Sequence, residues 1–294
     1  MMDFLNYAIN GLLLGQVYAL LALGFVVIYR ASKVFNFAQG ELMLLGAYTV
    51  WSLSLGANLS PWLAIPIAFV AALAYGWLIE RLFFSRLVGE SVFSMVMVTI
   101  GLVILIRGVV LVIWGAADRQ FPALLPTMPV IVGELILPTS MLVGAGVTLA
   151  LTLALWYFFN RTRAGLALTA VAEDPYTAIS MGIGVKRAVT LAWMLGTCIA
   201  TIGAVILLNG RSLNVLSADV ALAALPVALL AGLESIGGLM LAGAIVGIIQ
   251  SLVAAYIDPK LGGSASSIVP FVFMLFILVV RPTGLFGWRN IERV

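Results

Sequence analysis

Long apolar runs dominate the chain, and short polar stretches separate them. Nine runs stand out, at about 5–29, 36–55, 61–79, 92–114, 139–159, 188–208, 219–233, 236–257 and 267–280. A helix crossing the hydrocarbon core of a bilayer needs roughly 20 mostly apolar residues, and most of these runs approach that length. None alternates apolar and polar residues as the strands of a membrane barrel do. The pattern predicts an all-α integral membrane protein, a polytopic helical bundle of about eight to nine transmembrane helices with broken or re-entrant segments. A single transmembrane domain over residues 1–294 accounts for the whole chain. The run at 219–233 is short and the next follows at once, so this pair is either re-entrant or two closely packed spans.

The composition agrees. The chain is 63% hydrophobic and 9% charged, whereas a soluble domain carries about 25% charged residues. The basic residues set an orientation. Arg30 and Lys33 follow the first run, Arg81 and Arg86 the third, and Arg161, Arg163, Lys186 and Arg187 the fifth. Arg281, Arg289 and Arg293 follow the last, and Arg107, Arg119, Arg211 and Lys260 remain. If the spans alternate, the first eleven share one side. The positive-inside rule then places the N-terminus outside and the C-terminus in the cytoplasm. The start, Met1-Met2-Asp3-Phe4, has no basic n-region, so the first run is expected to be a retained span.

Several chemistries have little support. A net charge of +3 does not suggest nucleic-acid binding. The lone cysteine, Cys198, forms no intramolecular disulfide and is expected to be a small buried apolar group. Histidine is absent, which removes the commonest general base and metal ligand. No lysine follows a glycine, so a Gly-x-x-x-x-Gly-Lys phosphate loop is missing. No nucleophile–base cluster stands out. No cofactor, metal or enzymatic activity is expected.

The polar insertions carry what chemistry there is. Asn36-Phe-Ala-Gln39-Gly-Glu41 opens the second run, and ionisable groups at membrane depth are costly. Asn36, Gln39 and Glu41 either line a translocation path or pin neighbouring helices around it, with Gln39 and Glu41 expected to face one interior. The alternative is an interfacial cap, Asn36 satisfying free N–H groups and Glu41 favouring the positive helix end. Arg107, inside the fourth run, neutralises a carboxylate of the protein or of a solute. In the loop 160–187, Asp174-Pro175 forms an N-cap and first helical position, and Gly182 suits a helix stop. Short helices are expected at about 164–172 and 175–181. A helix that short is unstable alone, so it docks on a cytoplasmic motor subunit or rests on membrane lipid. At 231–238, dense glycine permits a reversal, with Glu234 and Ser235 at the turn beside Gly237 and Gly238. Glu234 is expected to cap the next helix or to act mechanically at the inner face. Gly243 and Gly247 suit close helix packing. The loop 115–138, with four prolines, is expected to be an irregular cap over the outer mouth. A faint repeat, a Gly-rich apolar run followed by an acid, occurs at 11–41 and 203–234.

These residues resemble the LivH-type permeases of branched-chain amino acid ABC importers, in the superfamily that also holds ribose-type permeases. The similarity rests on Gly15-Gln-Val-Tyr-Ala-Leu-Leu-Ala-Leu-Gly24, Asn36-Phe-Ala-Gln-Gly-Glu41, Arg161-Thr-Arg-Ala-Gly165 with Ala170-Val-Ala-Glu-Asp-Pro175, Gly182-Ile and Arg281-Pro-Thr-Gly-Leu-Phe-Gly287. Gln39 stands where the family usually has histidine, and Glu234 and Gly237 also depart from its pattern. The resemblance implies a multi-pass subunit of a bacterial or archaeal inner membrane. Its implied partners are a second homologous permease, two cytoplasmic ATPase subunits, and a periplasmic or lipid-anchored solute-binding protein. Ala172, Glu173, Asp174, Pro175 and Gly182 would then meet the ATPases. The solute would be a branched-chain or related amino acid, or else urea, a short amide or an aromatic carboxylate. A secondary transporter using Glu41, or a channel, is the rival reading from the residues alone.

Overall fold

The computed structural model describes residues 2–87 and 90–287; Arg289 and Arg293 lie outside the described residues. Each apolar run is helical. The helices are α1 (Met2–Ser32), α2 (Gln39–Trp51, prolonged by a π-helical turn Ser52–Gly56), α3 (Pro61–Leu82), α4 (Val92–Trp114), α5 (Thr139–Arg161), α6 (Arg163–Glu173), α7 (Pro175–Ser180), α8 (Val185–Leu207), α9 (Ser217–Val220), α10 (Ala224–Ala231), α11 (Gly238–Tyr256), α12 (Asp258–Leu261) and α13 (Ala265–Val280). A short 3-10 turn joins α9 to α10. Among the described residues, six helices are long and apolar enough to cross a membrane: α1, α3 with its extension to Arg86, α4, α5, α8 and α11. Ser217–Ala231 and Ala265–Val280 are apolar but shorter.

α1 forms the axis. Every residue from Gly15 to Ile28 is buried, as expected of a helix apolar on all sides. Its glycines set its distance to α11. A Cβ at Gly15 would stand 2.0 Å from the Gly243 carbonyl oxygen, and one at Gly247 would stand 2.2 Å from that of Gly11. Two small-xxx-small pairs thus interlock, and the backbones approach as only glycine allows. α3 packs on α8 in the same manner. Ala64, Ala68, Ala72 and Gly76 recur at every fourth position and are all buried. A Cβ at Gly76 would stand 2.6 Å from Met194 Cα.

Two crossings are broken. After Ser32 the chain turns through Lys33, in the left-handed conformation at φ 52°, and residues 33–38 climb back into the protein without helix. Phe35 stacks on Phe25 at 5.2 Å, and the Phe35 carbonyl accepts from Thr99 Oγ1 at 3.4 Å. Non-helical backbone at this depth is tolerated only where protein surrounds it. The second broken crossing is the stretch 208–216 leading into α9. The Asn209 side chain brackets the backbone of Leu125, accepting from its N–H at 2.9 Å and donating to its carbonyl at 3.1 Å. β1 (Arg119–Gln120), β2 (Val130–Val132), β3 (Leu135–Leu137) and β4 (Ser212–Leu213) follow in chain order. β1 pairs antiparallel with β4, and β2 with β3 as a hairpin turning at Gly133. The loop 115–138 is therefore partly ordered as strands and not irregular throughout. A β-branched run before a glycine at positive φ and an apolar run after it explain the hairpin.

The broken crossings expose an inverted repeat. α1, α2 and α3 correspond to α8, α9–α10 and α11, with the second set running the opposite way. In each set a long helix is followed by an extended stretch, a half-helix that begins inside the bundle, and a returning helix. The sets interlock, with α1 on α11 and α8 on α3. The faint sequence repeat set Glu41 against Glu234, whereas the structure sets Glu41 against Asp219, the third residue of each half-helix. The short run at 219–233 is the helical half of a broken crossing.

The glycine contacts carry a testable consequence. Gly15→Ala forces α1 from α11 and is expected to cost about 1–3 kcal/mol, as overpacking does. Gly108→Ala on α4, with nothing within 4 Å of the added carbon, is expected to be neutral or slightly stabilising. Thermal unfolding of both variants in detergent checks the contrast.

Candidate functional site

The half-helix α2 begins far from either face. Gln39 Nε2 donates to the Gly196 carbonyl at 3.3 Å, and Gly196 is the middle residue of α8. A Cβ on Gly24 would fall 2.0 Å from the same nitrogen; Gly24 lies about 12 Å along α1 from Ser32. The motif therefore sits at mid-depth, which goes against the interfacial alternative, because residues 33–38 make the first half of the crossing. Asn36 and Gln39 are fully buried. Asn36 Nδ2 donates to Gln39 Oε1 at 3.2 Å, and its Oδ1 accepts from Ala38 N–H at 3.0 Å. Asn36 closes a turn ahead of α2 instead of capping it, since Ala38 holds the cap position. Its bonds and those of Gln39 go to protein, and Gln39 ties the start of α2 to α8.

Glu41 faces the other way. Residues two apart on a helix are rotated by about 200°, so Gln39 and Glu41 do not share one interior as expected. Glu41 Oε1 accepts from Arg107 Nε at 3.1 Å and Nη2 at 2.6 Å. Arg107 Nη2 also donates to Asp219 Oδ1 at 3.0 Å. The three side chains differ in exposure: 4% for Glu41, 34% for Arg107 and 47% for Asp219. Glu41 Oε2 is buried without a partner. The two half-helices meet here, and a Cβ on Gly40 would lie 2.5 Å from the Ala218 carbonyl oxygen. Each half-helix carries an acid in its first turn, where the helix dipole favours one. Arg107 is held between the two. Of the alternatives for Arg107, neutralising a carboxylate of the protein is the one observed. Asp219 escaped the sequence reading because it opens a short apolar run, where it resembles a boundary residue. The signal available was its match to Glu41 in the patterns Gln-Gly-Glu and Ser-Ala-Asp.

A second cluster lies at the basic face. Thr162 caps α6, its Oγ1 accepting from Gly165 N–H at 3.1 Å. Asp174 caps α7, its Oδ1 accepting from the N–H groups of Tyr176 at 3.0 Å and Thr177 at 3.1 Å. The Thr177 hydroxyl bond to Asp174 and these backbone bonds hold its carboxyl below the usual carboxylate range. Its capping form is thus the ionised one at neutral pH and is lost only as pH falls through that lowered value. Gly182, at φ 79°, ends the turn after α7. Tyr176, Ile179 and Met181 are exposed, leaving an apolar patch on the short helix.

Lys33 joins this cluster to the half-helices. Its ammonium bonds Glu173 Oε1 at 3.1 Å and also pairs with Glu234. Both carboxylates favour its charged form. Glu173 ends α6 beside Ala172, Asp174 and Pro175, and Glu234 lies in the turn after α10. Glu234 does not cap α11 as one expectation had it; the Gly238 N–H donates to Ser235 Oγ at 3.1 Å. Gly237 takes the cap position, and Gly238 packs against Phe286. Lys33 was read only as a positive-inside charge, since no spacing links residues 33, 173 and 234. Cys198 is partly buried.

The comparisons agree with this architecture. The family described as branched-chain amino acid transport system / permease component matches residues 7–278. LivH of Escherichia coli (strain K12), named a high-affinity branched-chain amino acid transport system permease protein, is 30% identical over 99% of this chain and 98% of its own. BraD of Pseudomonas aeruginosa, which bears the same description, is 27% identical over the same shares. The probable branched-chain amino acid transport permease protein LivH of Methanocaldococcus jannaschii is 26% identical over 97% of this chain and 94% of its own. Among solved structures, PsaBC from Streptococcus pneumoniae in complex with Fab shares the fold, with a TM-score of 0.51 at 17% identity over 96% of this chain and 97% of that one. The chain belongs to the branched-chain amino acid transport system permease component family.

Proposed function

We propose that this chain is the membrane-spanning permease subunit of an ATP-driven importer, moving branched-chain or related amino acids by alternating access. The observation that carries the site is the meeting of two half-helices at mid-depth around Arg107. An amino acid is a zwitterion, and a charge at the bilayer centre is costly unless compensated. Arg107 and Asp219 offer one charge of each sign at that depth, both partly exposed. Glu41 holds Arg107 from behind. Asn36 and Gln39 have the pinning role, Glu41 supports Arg107, and the path role falls to Arg107 and Asp219. A proton- or sodium-driven carrier would need Glu41 free to take the ion, and its pairing with Arg107 speaks against that use.

In this reading the basic face is cytoplasmic, the N-terminus lies outside, and the membrane is a bacterial or archaeal inner membrane. One of two ATPase subunits docks on α7 through Tyr176, Ile179 and Met181, and the other docks on the partner permease. A second, homologous permease completes the pathway, and a solute-binding protein delivers solute at the face covered by residues 115–138. ATP supplies the energy through those subunits. Lys33 carries the motion inward, since it contacts the end of α6 and the end of α10 and begins the stretch that places α2. The turn at Glu234, Ser235, Gly237 and Gly238 is the other end of that linkage.

Purification of the tagged chain from native membranes in mild detergent tests the assembly. Two nucleotide-binding subunits and a second permease are expected to co-purify; a chain that emerges alone at every detergent strength contradicts the reading. Within the assembly, Lys33→Gln is expected to keep the ATPases bound while solute-loaded binding protein no longer stimulates them. Arg107→Gln leaves Glu41 buried and unpaired, which is expected to cost about 3–5 kcal/mol. Adding Glu41→Gln should recover most of the stability without restoring uptake. Melting curves and vesicle uptake of the single and double variants separate the two effects.

A further inference from the structure

A third group of polar residues belongs to neither cluster. On the basic side of the Gly76–Met194 contact, α3 with its extension and α8 line an open cavity of about 320 Å³. Its lining changes character along the helices. Arg81, Lys186 and Arg187 stand at the basic end, and Trp77, Leu191 and Met194 line it deeper in. Lys186 and Met194 are about 12 Å apart along α8. Among the described residues, none of the three cations enters an ion pair, and none of their side chains donates a hydrogen bond. The start of α8 adds to the positive field. Its cap position is Gly184, with no side-chain cap and no acid in the first turn. Lys186 and Arg187 occupy that first turn, where the dipole disfavours cations and the first N–H groups lack helical partners. Among the described residues Glu80 is the one acid on this lining, against three cations, so the site is short of negative charge. Glu80, Ser85 and Thr190 complete the polar part of the lining, and Trp77, Leu191 and Met194 form an apolar wall, so the missing partner is an anion that carries hydrocarbon.

We propose that this cavity binds an anionic phospholipid of the cytoplasmic leaflet, in the orientation given above. The phosphate lies against Arg81, Lys186 and Arg187, and an acyl chain follows Trp77, Leu191 and Met194. Basic recesses between spans on the cytoplasmic side suit such headgroups. Glu80 refines the choice. It is buried, its Oε2 accepts from Thr190 Oγ1 at 2.7 Å, and its Oε1 has no partner. That oxygen accepts a hydroxyl hydrogen, which a glycerol headgroup supplies and a choline headgroup does not. An acidic segment of an ATPase would satisfy the cations but not the apolar wall above them.

Native mass spectrometry of the purified assembly, titrated with phosphatidylglycerol or phosphatidylcholine, tests the site without reference to transport. One phosphatidylglycerol is expected to be retained about tenfold better than phosphatidylcholine. The triple variant Arg81→Gln/Lys186→Gln/Arg187→Gln should lose that preference, and Lys186→Gln alone should weaken it if the triple variant does not fold. Arg161→Gln/Arg163→Gln, exposed on the same face outside the cavity, should keep it. The proposal is overturned by equal retention of the two lipids or by equal loss in the Arg161/Arg163 variant. It is equally overturned if millimolar inorganic phosphate displaces the lipid, or if the triple variant sheds ATPase while its lipid remains.

Discussion

Arg107 clamped between Glu41 and Asp219 is the constraint on which the rest of the structure depends. Two helix N-termini that meet inside an apolar bundle bring two positive dipole ends and several unpaired N–H groups to one place. The acid in each first turn answers one end. The arginine then answers the acids, so the cluster carries a net charge of −1 set against two partial positive charges. Neither half-helix could begin at mid-depth without this compensation. If both crossings were continuous helices, Gly40 and Ala218 would lie near opposite faces and the triad would not form.

The rest of the bundle brings the half-helices to that point. α1 and α8 are the long helices that precede them, and each is fixed by small residues to the returning helix of the other set. The Gly11–Gly15 and Gly243–Gly247 pairs fix α1 on α11, and Ala64, Ala68, Ala72 and Gly76 fix α3 on α8. Between helices in lipid the driving force is close packing and not exclusion of water, so these contacts depend on shape. At the basic face Lys33 ties the broken crossing of the first set to the end of the half-helix of the second. The two half-helices are thus joined by ion pairs at mid-depth and again at one end, and α6–α7 reaches the lower junction through Glu173. α7 is therefore joined to Glu41 and Asp219 through a short run of covalent and ionic links.

Much of this was legible in the sequence. The nine runs, the shared basic side, the two short helices with the Asp174 cap, and the packing role of Gly243 and Gly247 follow from length, charge and capping rules that act locally. The depth of the motif at Asn36–Glu41 did not, because residues 33–38 include Val34, Phe35 and Phe37 and read as ordinary apolar approach to a helix. Their extended course depends on Phe25 and Thr99, which are distant in sequence. Asp219 and Lys33 were missed as site residues for the same reason, since their partners lie on other elements. The faint repeat was visible, but its register was set wrong by the more conspicuous Glu234. Inversion cannot be read from a motif that looks the same in either direction of travel.

The account stands on the two half-helices meeting at mid-depth. Its most direct test is disulfide formation between cysteines introduced at Gly40→Cys and Ala218→Cys in a Cys198→Ser background, with the protein in its native membrane. A disulfide needs Cα atoms within about 7 Å. Rapid cross-linking under mild oxidation, reversed by reductant, is the result predicted by convergent half-helices. No cross-link, with both thiols free and the protein folded, would mean that the two crossings are continuous and would contradict the central claim.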